Sequence, residues 1–141
     1  MSKIMYETKQ DLQREKRIIE KIANKWNCKY KKLPIQYRLD FALTRDSQIK
    51  ALVEIRVRKF RSDRYKTIIV SAMKRLTARS LSKELSVPSY FVVKFDDCIK
   101  YIDFNELPES FQIGGRSNKT KRSEDDIEIV CHYLVDCFKN F

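Results

Sequence analysis

The sequence has no apolar run of about 20 residues and no basic amphipathic surface helix, which argues against both a membrane span and attachment to an anionic bilayer. The opening MSKIMYETKQ lacks an apolar core segment, so nothing marks the chain for export and a cytoplasmic protein is expected. Histidine occurs once, at His132, and the four cysteines at 28, 98, 131 and 137 form no CxxC pair, which leaves a zinc site without its usual ligands. Buried thiols are the expectation for those cysteines. Glycine is confined to Gly114 and Gly115, and neither an internal repeat nor a long low-complexity segment is present.

Positive charge is what the chain has in excess. Lys and Arg number 30 against 19 Asp and Glu, a formal net charge of +11, so the first partner to expect is a polyanion such as nucleic acid. At 141 residues, one domain spanning residues 1–141 is the economical organisation.

Thr8 followed by Asp11 reads as a helix start, and Leu12, Ile19, Ile22, Ala23 and Trp26 recur at helical spacing over residues 9–26. Glu15 falls within the roughly 80° apolar stripe of that helix, a position that either lets its head reach water or points a carboxylate at polar groups beneath. Residues 37–44 and 49–60 alternate with period two around the polar segment Arg45-Asp46-Ser47-Gln48, which predicts an antiparallel hairpin. With a loop of residues 46–48, Asp40 lies directly across from Glu54. A slip of one residue would break that pairing. Acids are poor strand formers, and two facing carboxylates repel unless a cation lies between them, which a divalent ion would satisfy.

Further along, Tyr65 to Val70 reads as a strand. Ser71 caps a helix over 72–85, with Met73, Leu76, Leu81 and Leu85 toward the core. SYFVVKF and CIKYIDF flank Asp96-Asp97 as a second hairpin, and IEIVCHYLV forms a last strand after the polar loop GGRSNKTKRSEDD. The fold class is α/β or α+β.

From Arg56 to Lys66 the chain holds six basic residues and one acid. Arg58, Lys59, Arg61, Arg64 and Lys66 read as a track for a phosphate backbone, which Lys29, Lys31 and Lys32 could extend; a plain solvated surface is the competing reading. Arg116, Lys119, Lys121 and Arg122 read as a second basic loop, its glycines permitting close approach to phosphate, or as a connector.

Glu15, Asp40 and Glu54-Ile55-Arg56, together with ETKQDLQRE, WNCKYKKLP, LDFALTRD, ALVEIRVR, VSAMK, VPSYFVVKFDD and IGGR, resemble the PD-(D/E)XK nuclease superfamily, and small phage-encoded members in particular. The resemblance implies a restriction-endonuclease-like core, a central mixed β-sheet flanked by helices, and a metal-dependent DNA endonuclease that acts on branched or flapped DNA. It implies Mg²⁺, with Mn²⁺ as substitute, held by Asp40, Glu54 and the Ile55 carbonyl, with Glu15 in support. The family places Lys where this chain has Arg56, and arginine cannot serve as a general base. Lys74, in the family's Ser-x-x-Lys, is the candidate replacement, against an ordinary surface lysine. The alternatives are a DNA-binding protein that keeps the fold without catalysis and an RNA-binding or RNA-processing module. DNA is favoured over RNA, and pairing of two copies is compatible with cutting both strands.

Overall fold

The computed structural model describes residues 9–115 and 127–141. Its first element is α1 (Lys9–Lys25), followed by β1 (Lys29–Lys32), a 3₁₀ turn (Ile35–Tyr37), β2 (Phe41–Arg45) and β3 (Gln48–Val57). Next come β4 (Thr67–Ser71), α2 (Ala72–Leu85), β5 (Ser89–Lys94) and β6 (Ile99–Asp103). The chain ends with β7 (Ser110–Gly115), β8 (Ile127–Leu134), a second 3₁₀ turn (Val135–Cys137) and β9 (Lys139–Asn140). Thr8, expected at the helix start, lies outside the described residues, as do Arg116, Lys119, Lys121 and Arg122.

A six-stranded sheet in the order β1-β2-β3-β5-β6-β9 is mixed: β3 and β5 run parallel, and the other neighbours are antiparallel. A three-stranded antiparallel sheet, β4-β8-β7, stands apart from it. Strand alternation sends odd and even residues of β3 to opposite faces. Val53 and Ile55 pack with Ile18, Ile19 and Ile22 of α1, whereas Leu52 joins the core formed with α2 and the smaller sheet. Ile19 and Ile22 are fully buried, each contributing about 2–3 kcal/mol of hydrophobic stabilisation. Among the described residues no helix is long and apolar enough to cross a membrane.

The end of α1 is set by Asn27, which takes the left-handed conformation (φ 54°), while Cys28 N–H returns to the Ala23 carbonyl at 2.8 Å. The turn between β2 and β3 is tighter than expected. Asp46 and Ser47 both have positive φ (53° and 64°), which makes a two-residue turn with Arg45 paired to Gln48. A register shift between Leu43 and Thr44 then accommodates one extra residue on β3, and Phe41 pairs with Val53. The shorter turn and the bulge compensate, so the register that sets Asp40 opposite Glu54 is restored. β2 begins at Phe41 rather than at residue 37, because the 3₁₀ turn and a left-handed Arg38 (φ 60°) precede it.

The expected orientation of α2 is wrong. Ser71 caps it as expected, accepting the Met73 N–H at 3.2 Å, but Met73 and Leu76 are 48% and 56% exposed and Leu85 is exposed as well; Leu81 is partly buried. The buried side is Lys74, Arg75, Ala78 and Ser82. Arg75 Nε donates to the Tyr133 hydroxyl at 2.8 Å, so polar partners in the core, rather than the apolar spacing, orient the helix. The cysteines also divide: Cys131 is buried, Cys28 and Cys98 are half-buried and Cys137 is exposed, all as free thiols. Gly114 belongs to β7, where a Cβ would come within 3.0 Å of Val130, so packing already accounts for its missing side chain.

Candidate metal and nucleic-acid site

Asp40 occupies the point where β2 gives way to the preceding turn. Its backbone stays tied to both neighbours: Asp40 N–H donates to Val53 C=O at 3.0 Å, and Leu33 N–H donates to Asp40 C=O at 2.9 Å. Its side chain continues the ladder, with Oδ2 accepting the Ile55 N–H at 2.7 Å. Because the N–H and C=O of a strand residue point toward the same edge, the Ile55 carbonyl also faces the Asp40 side.

Glu54, next on β3, is 0% exposed. Its Oε2 lies 2.9 Å from Arg56 Nη1 and 3.2 Å from Lys74 Nζ, so both cations gather on one oxygen. Oε1 is buried and has no hydrogen-bond partner among the described residues. Burial pushes the Glu54 carboxyl up from its ordinary 4.5 to about 7, and the Asp40 charge adds to the rise against the opposing pull of Arg56 and Lys74. Lys74 Nζ also donates to the Arg38 carbonyl at 2.8 Å, which the left-handed turn at Arg38 presents. Lys74 is therefore a buried group of the site and not a surface lysine.

Glu15 reaches the same end of the sheet from α1. Lys32 Nζ joins it to the strand acids, 3.7 Å from Glu15 Oε1 and 3.6 Å from Asp40 Oδ1, and the Phe41 ring lies 5.0 Å from that ammonium. The structure thus brings together Glu15, Asp40, Glu54, Arg56 and Lys74. Sequence reasoning gave Lys32 only a peripheral role in a phosphate track. The signal was adjacency: β1 pairs with β2, and Lys32 lies opposite Phe41, one residue from Asp40. The Arg38 carbonyl was missed because its backbone conformation leaves no mark in the residue pattern.

Asp40, Glu54 and the Ile55 carbonyl form an all-oxygen donor set that fits a hard divalent cation, and Oε1 of Glu54 supplies a buried acceptor that meets no donor among the described residues. Among the described residues no three His, Cys, Asp or Glu side chains form a metal-ligand group. A cation here would therefore rest on two carboxylates and a main-chain oxygen and keep waters in its remaining positions.

The basic track is only partly continuous with this site. Lys59, Arg64 and Lys66 are exposed, while Arg61 is engaged by Asp63 at 3.4 Å and Asp97 at 3.8 Å. Asp97 also accepts from the Ser62 N–H and hydroxyl, each at 2.8 Å, and those bonds hold its carboxyl below the usual range. They fasten the loop after β3 to the β5–β6 turn, and Phe60 and Tyr65 pack edge to face at 4.9 Å within it. Arg58, just past the end of β3, lines a cavity beside α1. Burial first, and the neighbouring Arg56 second, depress its guanidinium below the ordinary arginine range.

A family model described as "Phage putative PDDEXK endonuclease" matches residues 1–141. No curated protein matches the chain. Among solved structures, that of Archaeoglobus fulgidus Hjc, a Holliday junction resolvase from an archaeal hyperthermophile, superimposes with a TM-score of 0.55 at 10% identity, covering 89% of this chain and 90% of that one. At that identity the likeness establishes a shared fold, with its mixed sheet and flanking helices.

Proposed function

Because this chain belongs to the phage PDDEXK endonuclease family, we propose that it is a Mg²⁺-dependent DNA endonuclease whose active centre is Asp40, Glu54, the Ile55 carbonyl and Lys74. The observation that carries this reading is the convergence at Glu54: a fully buried carboxylate with two cations on one oxygen and, among the described residues, no hydrogen-bond partner on the other. A purely phosphate-binding surface would gain nothing from it, since carboxylates repel the ligand.

A Mg²⁺ held by Asp40, Glu54 and the Ile55 carbonyl would neutralise charge at the phosphoryl oxygens and activate a water. Lys74 acts beside it as a compact ammonium with rotatable donors, held by the Arg38 carbonyl, and stabilises charge developing on the phosphate. Arg56 keeps a fixed positive charge beside Glu54 and can grip a phosphate through two hydrogen bonds, but it stays protonated and cannot act as a general base. Glu15 and Lys32 position the Asp40 side of the centre. Hydrolysis is in-line attack of water on the scissile phosphate, with the exposed Lys59, Arg64 and Lys66 holding the backbone without reading sequence.

The resolvase with the same fold suggests branched DNA as the first substrate to try. Self-association is supported by apolar side chains left exposed on the smaller sheet: Phe111, Ile113, Ile127 and Ile129. The test is to incubate the protein with supercoiled, linear, single-stranded and four-way-junction DNA in Mg²⁺, Mn²⁺ or chelator. Metal-dependent nicking lost in Asp40→Ala, with DNA binding equal or tighter, is expected. Salt-sensitive binding without cleavage under any condition would identify a non-catalytic DNA-binding protein, and preferential cleavage of RNA would redirect the substrate assignment.

A further inference from the structure

A cavity of about 220 Å³ opens between α1 and the C-terminal ends of β3 and β5, at the turn into β6. It is larger than the roughly 150 Å³ cavity that accommodates a benzene ring in a protein core. Its apolar lining is Ile18, Val57, Phe95 and Ile99. Around this floor stand five cationic side chains, Arg14, Arg17, Lys21, Arg58 and Lys94, against the single acid Asp96. The cavity lies on a different flank of α1 from Glu15, because Arg14, Arg17 and Lys21 cluster some 100–160° around the helix from it.

Two features restrict what this cavity can take. Arg58, one residue past β3, is partly buried beside the like charge of Arg56, whose own counter-ion is Glu54, and arginine does not shed its proton, so an anion in the cavity would offset the charge of Arg58. A phosphate alone would leave the Ile18, Val57, Phe95 and Ile99 surface wet. A planar base carrying a phosphate uses both, its face on apolar side chains and its charge among guanidinium groups. Arg58, one residue past the end of β3, follows Glu54 by four residues, about 13 Å along the chain at the strand rise, which corresponds to about four steps of B-form DNA.

We propose that this cavity is a nucleotide subsite, which takes one unstacked nucleotide of the substrate strand within a few positions of the scissile phosphate. The base lies on the Ile18–Val57–Phe95–Ile99 floor and the phosphate between Arg14, Arg17 and Arg58. The proposal rests on the endonuclease reading for the identity of the strand. It gives the protein a reason to favour DNA with unpaired nucleotides, since extruding a base from intact duplex costs a few kcal/mol.

The test uses methyl-labelled full-length protein in chelator, so that no cleavage is needed. Tetrathymidylate should produce ring-current shifts at the methyls of Ile18, Val57 and Ile99 and leave those of Ile35 and Ile69 unmoved. A tetramer of abasic nucleotides should not produce them. Arg14→Glu/Arg17→Glu, at two α1 positions flanking the cavity, should weaken the tetrathymidylate titration at least tenfold. Equal shifts from the abasic tetramer would reduce the cavity to a phosphate site and overturn the proposal. Still methyls at these three residues, whether or not the oligonucleotide binds elsewhere, would also overturn it. The nicking assay is independent: cleavage with unmoved methyls removes the subsite and leaves the nuclease, and shifts without cleavage do the reverse.

Discussion

Replacing Glu54 by Gln should make the metal-free protein more stable at alkaline pH while abolishing its activity. The carboxyl is fully buried and is raised from 4.5 to about 7, chiefly by desolvation. Between those two values the unfolded chain has released the proton that the folded chain still holds, so stability falls as pH rises. The penalty is absent at pH 4, reaches about 2 kcal/mol at pH 6 and levels off near 3 kcal/mol above pH 7, at about 1.4 kcal/mol per unit. Glutamine resembles the protonated acid and never incurs it. Urea unfolding in chelator should therefore show wild type and Glu54→Gln alike at pH 4 and the variant more stable by about 3 kcal/mol at pH 8, a gain on the order of 10 °C in Tm. Adding Mg²⁺ should stabilise the wild type, by mass action on the folded state, and leave the variant unmoved. A variant equal to or less stable than wild type at pH 8 without metal would refute the reasoning, because it would mean that Arg56 and Lys74 already outweigh the desolvation of Glu54.

Lys74→Met keeps the stem and removes the ammonium; cleavage at saturating Mg²⁺ should fall on the order of 10²–10³-fold, measured by single-turnover nicking, with DNA affinity changed much less. Asp40→Asn retains an oxygen for the Ile55 N–H, so stability should change by less than about 1 kcal/mol in urea while cleavage falls at least about 10³-fold. Tyr133→Phe removes the acceptor of Arg75 Nε and a donor to the Phe104 carbonyl, while Arg75 Nη2 keeps its bond to the Glu106 carbonyl, and chemical denaturation should register a loss of about 1–3 kcal/mol without any change in metal requirement. Cleavage by the wild type in limiting Mg²⁺ should rise with pH through about 7, as the Glu54 proton becomes easier to displace, and a flat profile from pH 6 to 8 would count against Glu54 as a ligand.

The strand acids were legible because period-two alternation and a polar turn leave few registers, and Asp is so poor in a sheet that its presence asks for a cause. The agreement owes something to compensation. A turn one residue shorter than expected and a bulge of one residue cancel before the chain reaches Asp40. α2 was placed correctly by its serine cap but turned the wrong way, since Met73, Leu76 and Leu85 imitate a core stripe while the core wants the polar ends of Lys74 and Arg75. β1 was missed because Lys29-Tyr30-Lys31-Lys32 is short and mostly charged, and only its pairing with β2 makes it a strand. β7 was hidden for a related reason: Phe111 and Ile113 look outward, and neither glycine at its end advertises extended backbone.

The bond from the Ile55 amide to Asp40 Oδ2 means that one oxygen of this carboxylate is masonry and the other is left for chemistry. The aim of this carboxylate is consequently set by the strand alignment together with Lys32, 3.6 Å from Oδ1, and on the proposed mechanism whatever loosens the seam between β2 and β3 detunes the chemistry at the same moment.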